Sequence, residues 1–137
     1  MKIFLISLLS VSFLFSFDAL HVKAEILSKI AHEFVHKDIV NIYTDDKDLI
    51  KTKGLVPSLN YTNIEDSDIV FLSSLDTIET KSKAKYIFST SYYVYKTSQK
   101  VIGSFFWQKG RPNIIIKSSI LKKSNIKLSM AFQKYVE

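Results

Sequence analysis

Between Leu20 and His36 the apolar residues Leu20, Ala24, Leu27, Ile30, Ala31, Phe34 and Val35 recur at steps of three and four. That spacing gathers them on one face of an amphipathic helix, with Asp18 standing where an N-cap belongs. The pattern then changes. "DIVNIY" (Asp38–Tyr43) reads as a short strand stopped by the acidic turn Thr44-Asp45-Asp46, and a short helical stretch at Lys47–Thr52 runs into the breakers Gly54 and Pro57. "DIVFLSS" (Asp68–Ser74) and "KYIFSTS" (Lys85–Ser91) are continuous apolar runs of strand length, rich in β-branched and aromatic residues. Strands buried on both faces of a parallel sheet look like this.

Val101–Gln108 and Pro112–Lys117 flank Lys109-Gly110, a two-residue hairpin signal in which glycine supplies a positive φ. Ser118 and Ser119 are good N-cap types, and "ILKKSN" and "SMAFQKYV" after them read as helical. Helix, strand, strand, strand, hairpin and helix make an α/β fold. The expectation is a single domain over 17–137, a mixed β-sheet with a C-terminal β-hairpin, packed by the N-terminal amphipathic helix and a C-terminal helix.

Residues 1–16, "MKIFLISLLSVSFLFS", carry Lys2 and then an apolar run too short to span a bilayer, which is the layout of a secretory signal peptide. Export to the periplasm follows, with an uncleaved membrane anchor as the alternative. The chain has no cysteine, which removes disulfides, thiolate metal sites and a cysteine nucleophile. Charge is divided unevenly. Phe17–Glu79 holds six lysines against twelve acids, whereas Thr80–Val136 holds eleven lysines and Arg111 with no acid. The basic half is suited to anions, such as a small anionic ligand or an acidic protein face; nucleic acid fits the charge but not the export signal.

"AHEFVHK" (Ala31–Lys37) contains His32-Glu33-x-x-His36, two imidazoles one helical turn apart beside a carboxylate. This is zinc-peptidase spacing, with His32 and His36 as ligands and Glu33 as general base. A third ligand is still required, and Glu65 and Glu79 are the downstream candidates before the terminal Glu137. On the helical wheel His32 and His36 lie away from the apolar arc, in a stripe with His21, Glu25, Ser28 and Lys29. The expectation is therefore a polar helix back, with no cofactor; a small zinc-dependent metallohydrolase is the alternative. No Gly-x-Ser-x-Gly elbow occurs, and three glycines cannot build a phosphate loop. The acid clusters Asp45, Asp46, Asp48 and Glu65, Asp66, Asp68 are read as turn and cap chemistry.

"GSFFWQKGRPNIII" (Gly103–Ile116) is the most individual stretch. Its alternating aromatics divide between core and surface, and Arg111, the sole arginine, falls near Trp107, Lys109 and Asn113. A planar cation beside an aromatic suits an anionic or aromatic ligand, so Trp107, Lys109, Arg111 and Asn113 are the candidate ligand- or partner-binding residues.

The C-terminal half also resembles YfiR-like periplasmic regulatory proteins. The likeness is carried by "DIVFLSS", "KYIFSTS" and "VIGSFFWQKGRPNIIIKSSILKKSNIKLSMAFQKYVE", with Gly103, Gly110, Arg111, Ile114, Ile116, Leu121, Ile126, Lys127, Leu128 and Ser129 at matching positions. The chain departs from that family in being shorter, in lacking the cysteines its best-known members pair, and in an opening helix without their aromatic-rich sequence. The resemblance implies a small, often dimeric α/β protein without catalytic activity. Such a protein would hold an inner-membrane signalling protein, typically a diguanylate cyclase, inactive through its periplasmic part.

Overall fold

The computed structural model describes residues 19–80 and 86–137, with the side chains of Glu79 and Thr80 outside that description. The expected signal peptide and the Asp18 cap lie outside the described residues. Helix α1 is described over 19–34, and Ala24, Leu27, Ile30, Ala31 and Phe34 on its inner face are buried. The other elements are β1 (Val40–Thr44), α2 (Lys47–Ile50), β2 (Leu59–Tyr61), β3 (Ile69–Leu72), α3 (Leu75–Thr80), β4 (Tyr86–Ser89), α4 (Tyr92–Thr97), β5 (Gly103–Gln108), β6 (Arg111–Ile116), α5 (Ser118–Lys123) and α6 (Met130–Gln133).

The strands form one mixed sheet in the order β2-β1-β3-β4-β5-β6, parallel from β2 to β5 and antiparallel at the β5–β6 hairpin. Alternation along the strands divides the core into two layers. Ile69 and Phe71 of β3, Phe88 of β4 and Phe105 of β5 meet α1, Leu49 of α2 and Leu121 of α5. Val70, Leu72 and Ile87, on the opposite face, meet Ile78 of α3 and Val94 and Tyr95 of α4. This two-sided burial is why β3 is buried at all four positions and reads as an unbroken apolar run.

Two features hold the β5–β6 hairpin in place. Lys109 (φ 54°) and Gly110 (φ 72°) are both left-handed, as a two-residue hairpin turn compatible with strand twist demands. At the start of β5, a Cβ on Gly103 would stand 2.7 Å from the Ile115 carbonyl oxygen and 2.8 Å from the Phe88 ring, so only glycine permits this approach.

The expected α/β architecture is the observed one, with more elements than the pattern revealed. β2, α3 and α4 were not expected. α4 is made of "YYVYKT", a composition that favours strand, and it is helical because Ser91 caps it, its side chain accepting from Val94 N, and because Val94 and Tyr95 bury against the sheet. Ser118 and Ser119 do not cap α5: the N-cap position belongs to Lys117, and both serines lie within the helix. The C-terminal helix is two short helices, separated by a turn in which Asn125 adopts φ 54°.

Candidate functional site

The sheet order changes direction at β1: the chain leaves it for β2 on one side and returns to β3 on the other. Crevices of α/β sheets open at the carboxyl ends of strands around such a point. Small polar residues occupy those ends here. Asp45 Oδ1 accepts from Ser73 N at 2.6 Å and from Ser73 Oγ at 3.0 Å, tying the loop after β1 to the one after β3. Asp46 caps α2, its Oδ1 accepting from Asp48 N and Leu49 N at 2.9 and 3.2 Å. Ser89 Oγ donates to Ser104 Oγ at 2.8 Å, and Ser104 Oγ donates to the Ser89 carbonyl at 3.1 Å.

Ser89–Ser104 is the last pair between β4 and β5, after which β5 continues through Gln108 paired to β6 alone. The hairpin therefore overhangs the carboxyl edge of the parallel strands and walls a crevice of about 200 Å³. Lys23 of α1, Asp46, Thr90, Phe105, Phe106 and Trp107 line it. Lys23 Nζ sits 4.8 Å from the centre of the Trp107 ring, a cation–π contact, and Phe105 meets Trp107 edge-on at 6.3 Å. Trp107 remains 40% exposed. Thr90 Oγ1 is buried and, among the described residues, is the one buried side-chain oxygen or nitrogen without a hydrogen-bond partner.

The structure separates the residues that the sequence placed together. Trp107 pairs with Pro112, Phe106 with Asn113 and Gln108 with Arg111, so strand alternation sends Trp107 to the α1 face and Arg111 and Asn113 to the α4 face. The cation on Trp107 is Lys23, not Arg111. Gln108, Lys109, Arg111 and Asn113 form an exposed recess of their own at the hairpin end. On the same side Phe106 packs on Tyr92 of α4 at 5.7 Å, Lys96 lies over the Tyr92 ring at 5.6 Å, and Tyr93 is 70% exposed.

Below them, Tyr95 donates its hydroxyl to Glu137 Oε1 at 2.8 Å, and Lys117 Nζ donates to the Ser98 carbonyl at 2.6 Å. Burial raises the Tyr95 phenol far above its ordinary range, and the bond to Glu137 raises it further, so it stays protonated. Burial lowers Lys117 from its ordinary value, with the Glu137 charge acting in the opposite direction.

The His32-Glu33-His36 set does not converge. His32 Nδ1 lies 2.8 Å from the Ser28 carbonyl oxygen, and Nε2 lies 3.3 Å from the Asp38 carbonyl oxygen. Glu33 turns away to Ser129, accepting from its N–H at 3.2 Å and its hydroxyl at 2.6 Å. His36 stands exposed beyond the end of α1. Glu65 is exposed on the loop before β3, and the Glu79 side chain lies outside the described residues. Among the described residues no three histidines, cysteines or acids come together as a metal ion requires.

The polar back of α1 is itself corrected in part. Ser28 is buried against Ser58, and His32 and Glu33 are half-buried, because the loop after α2 and the C-terminal segment fold over them. Lys23, Thr90, Tyr92, Tyr93 and Lys96 were not singled out from sequence. Short polar runs directly after buried strands, Thr44-Asp45-Asp46 and Ser89-Thr90-Ser91, were the available signal. The chain matches no protein-family model, and neither a curated protein nor a solved structure shows significant similarity to it.

Proposed function

We propose that this protein is a non-enzymatic, exported regulatory module that docks through its α4–hairpin face onto the acidic periplasmic part of an inner-membrane signalling protein. The observation that carries this reading is the continuous surface of Tyr93, Tyr92, Phe106, Asn113 and Arg111, bordered by Lys96 and Lys109. Exposed tyrosines beside an arginine have the composition of interface hot spots, and a ring of cations selects an acidic partner. The basic second half of the sequence and the resemblance to YfiR-like regulators agree with it.

The test is capture from detergent-solubilised membranes by the purified mature protein, compared with Tyr93→Ala and Arg111→Glu variants. One inner-membrane protein should be retained by the parent and lost with both variants, more completely at higher salt. Capture of no membrane protein, or equal capture by all three, overturns the proposal.

A further inference from the structure

On the α1 face of the β5–β6 hairpin, opposite the proposed docking face, a groove of about 290 Å³ opens between α1, β6 and α6. Ile26, Ile114, Phe132 and Tyr135 form its apolar walls, each half-buried, and Phe132 and Tyr135 meet edge-on at 5.5 Å. Lys29 of α1 and Lys134 at the end of α6 line the same groove, and no acid does. The acids close to them in the chain are engaged elsewhere: Glu25 pairs with His21, Glu33 accepts from Ser129, and Glu137 accepts from Tyr95. Among the described residues neither lysine makes an ion pair. The Lys134 ammonium lies over the Tyr135 ring at 5.2 Å, a contact compatible with a second, anionic partner.

The edge of β6 adds a directed donor. Backbone groups alternate in an antiparallel pair, so Ile114 turns its N–H to the same side as Ile116, away from β5. Ile116 donates that N–H to the Tyr135 carbonyl. Opposite Ile114 the C-terminal segment is already helical, at Lys134 (φ −65°, ψ −16°), so the strand pairing around Ile116 and Val136 does not reach Ile114.

We infer that this groove binds a medium-chain alkyl carboxylate. Its chain lies on Ile26, Ile114 and Phe132, and its carboxylate sits between Lys29 and Lys134 and accepts from the Ile114 N–H. Apolar walls alone admit any hydrocarbon; the two cations select a negative end and disfavour an uncharged or cationic amphiphile of the same length. The volume stands at the foot of the ~300–1,000 Å³ range of small-molecule sites, which suits one short chain and not a two-chain phospholipid. The inference is independent of the proposed docking, because the two faces share no side chain.

Isothermal calorimetry of the full mature protein with octanoate tests this, with 1-octanol and octylamine as charge controls of equal length. Octanoate should bind saturably and more tightly than either control, and about fourfold more tightly than heptanoate, which is one methylene shorter. Lys29→Gln combined with Lys134→Gln should weaken octanoate about tenfold and remove its advantage over octanol. Ala131→Leu adds bulk on the groove and should abolish binding. All three positions are exposed, so the melting temperature of the ligand-free protein should barely move. If one variant fails to fold, the other decides together with the chain-length comparison. A non-saturating response, equal binding of octanol or octylamine, parent-like affinity in the folded variants, or retention on phosphatidylglycerol vesicles without octanoate binding overturns the inference.

Discussion

Glu33 and Ser129, separated by 96 residues in the chain, are joined by two hydrogen bonds, Ser129 Oγ to Glu33 Oε1 at 2.6 Å and Ser129 N to Glu33 Oε2 at 3.2 Å. A helix-borne carboxylate thus receives the backbone at the start of α6 and fastens the C-terminal segment to α1. The same segment is held along β6, where Ile116 N donates to the Tyr135 carbonyl and Glu137 N to the Ile116 carbonyl, each at 2.9 Å. The bonds at Ile116 cover that end of the edge strand β6 against pairing with another strand.

Removing that carboxylate should loosen the C-terminal segment before it unfolds the sheet. Glu33→Ala is expected to cost about 1–3 kcal/mol, since two bonds to a charged acceptor are lost. Hydrogen exchange at Leu128–Gln133 should rise more than exchange in β3. Uniform loss of protection across the molecule would refute the clamp role.

The two histidines of the motif should behave differently. His36→Ala, at an exposed position past the helix end, is expected to change stability by no more than about 0.5 kcal/mol. His32→Ala removes the contacts to the Ser28 and Asp38 carbonyls and should cost about 1–2 kcal/mol. Denaturant unfolding measures both. Zinc analysis of the purified protein decides the metallohydrolase alternative, because stoichiometric zinc that is lost with His36→Ala would overturn the non-enzymatic reading.

Gly103→Ala should be among the most damaging single-methyl additions in the molecule. The new Cβ meets backbone at Ile115 and the buried ring of Phe88, neither of which has room to give. A loss of about 1–3 kcal/mol is expected, with the β5–β6 register disturbed. Gly110→Ala meets nothing within 4 Å, so its cost should come from the left-handed backbone alone.

Asp68 gives the fold an acid-sensitive joint between the loop after α1, at Lys37, and β1, at Asn41. Burial works to raise its pKa from the ordinary 3.8, but the bond from Lys37 Nζ, the bond from Asn41 N and the Lys37 charge outweigh this and hold it lower. A depressed carboxylate contributes stability that is complete above its unfolded pKa and drains away as pH falls through the folded one. Asp68→Asn should therefore lower the melting temperature at pH 7, and parent and variant should converge as pH drops below about 4. A constant difference down to acid pH would remove Asp68 as the source.

Local pattern was enough for α1, the buried strands β1, β3 and β4 and the hairpin, because each is specified by period, run length or turn chemistry within a few residues. It failed at α4, where "YYVYKT" favours strand locally and only the cap at Ser91 and burial of Val94 and Tyr95 against the sheet make it helical. The site was legible to a lesser extent. Trp107 and Arg111 stand four positions apart and were read as neighbours, but the hairpin register sends them to opposite faces.

By itself, then, the sequence determined the α/β class, the amphipathic helix, the uneven charge and the residue types of the hairpin, all of which rest on short-range periodicity and composition. Only the tertiary structure decided what those residues face. It brought Lys23 over Trp107, gathered Asp46 and Thr90 at one strand edge, and turned Glu33 from a would-be catalytic base into an anchor for Ser129. The reason is that such pairings join positions far apart in the chain through sheet order and strand register, and neither is written in any local window of sequence.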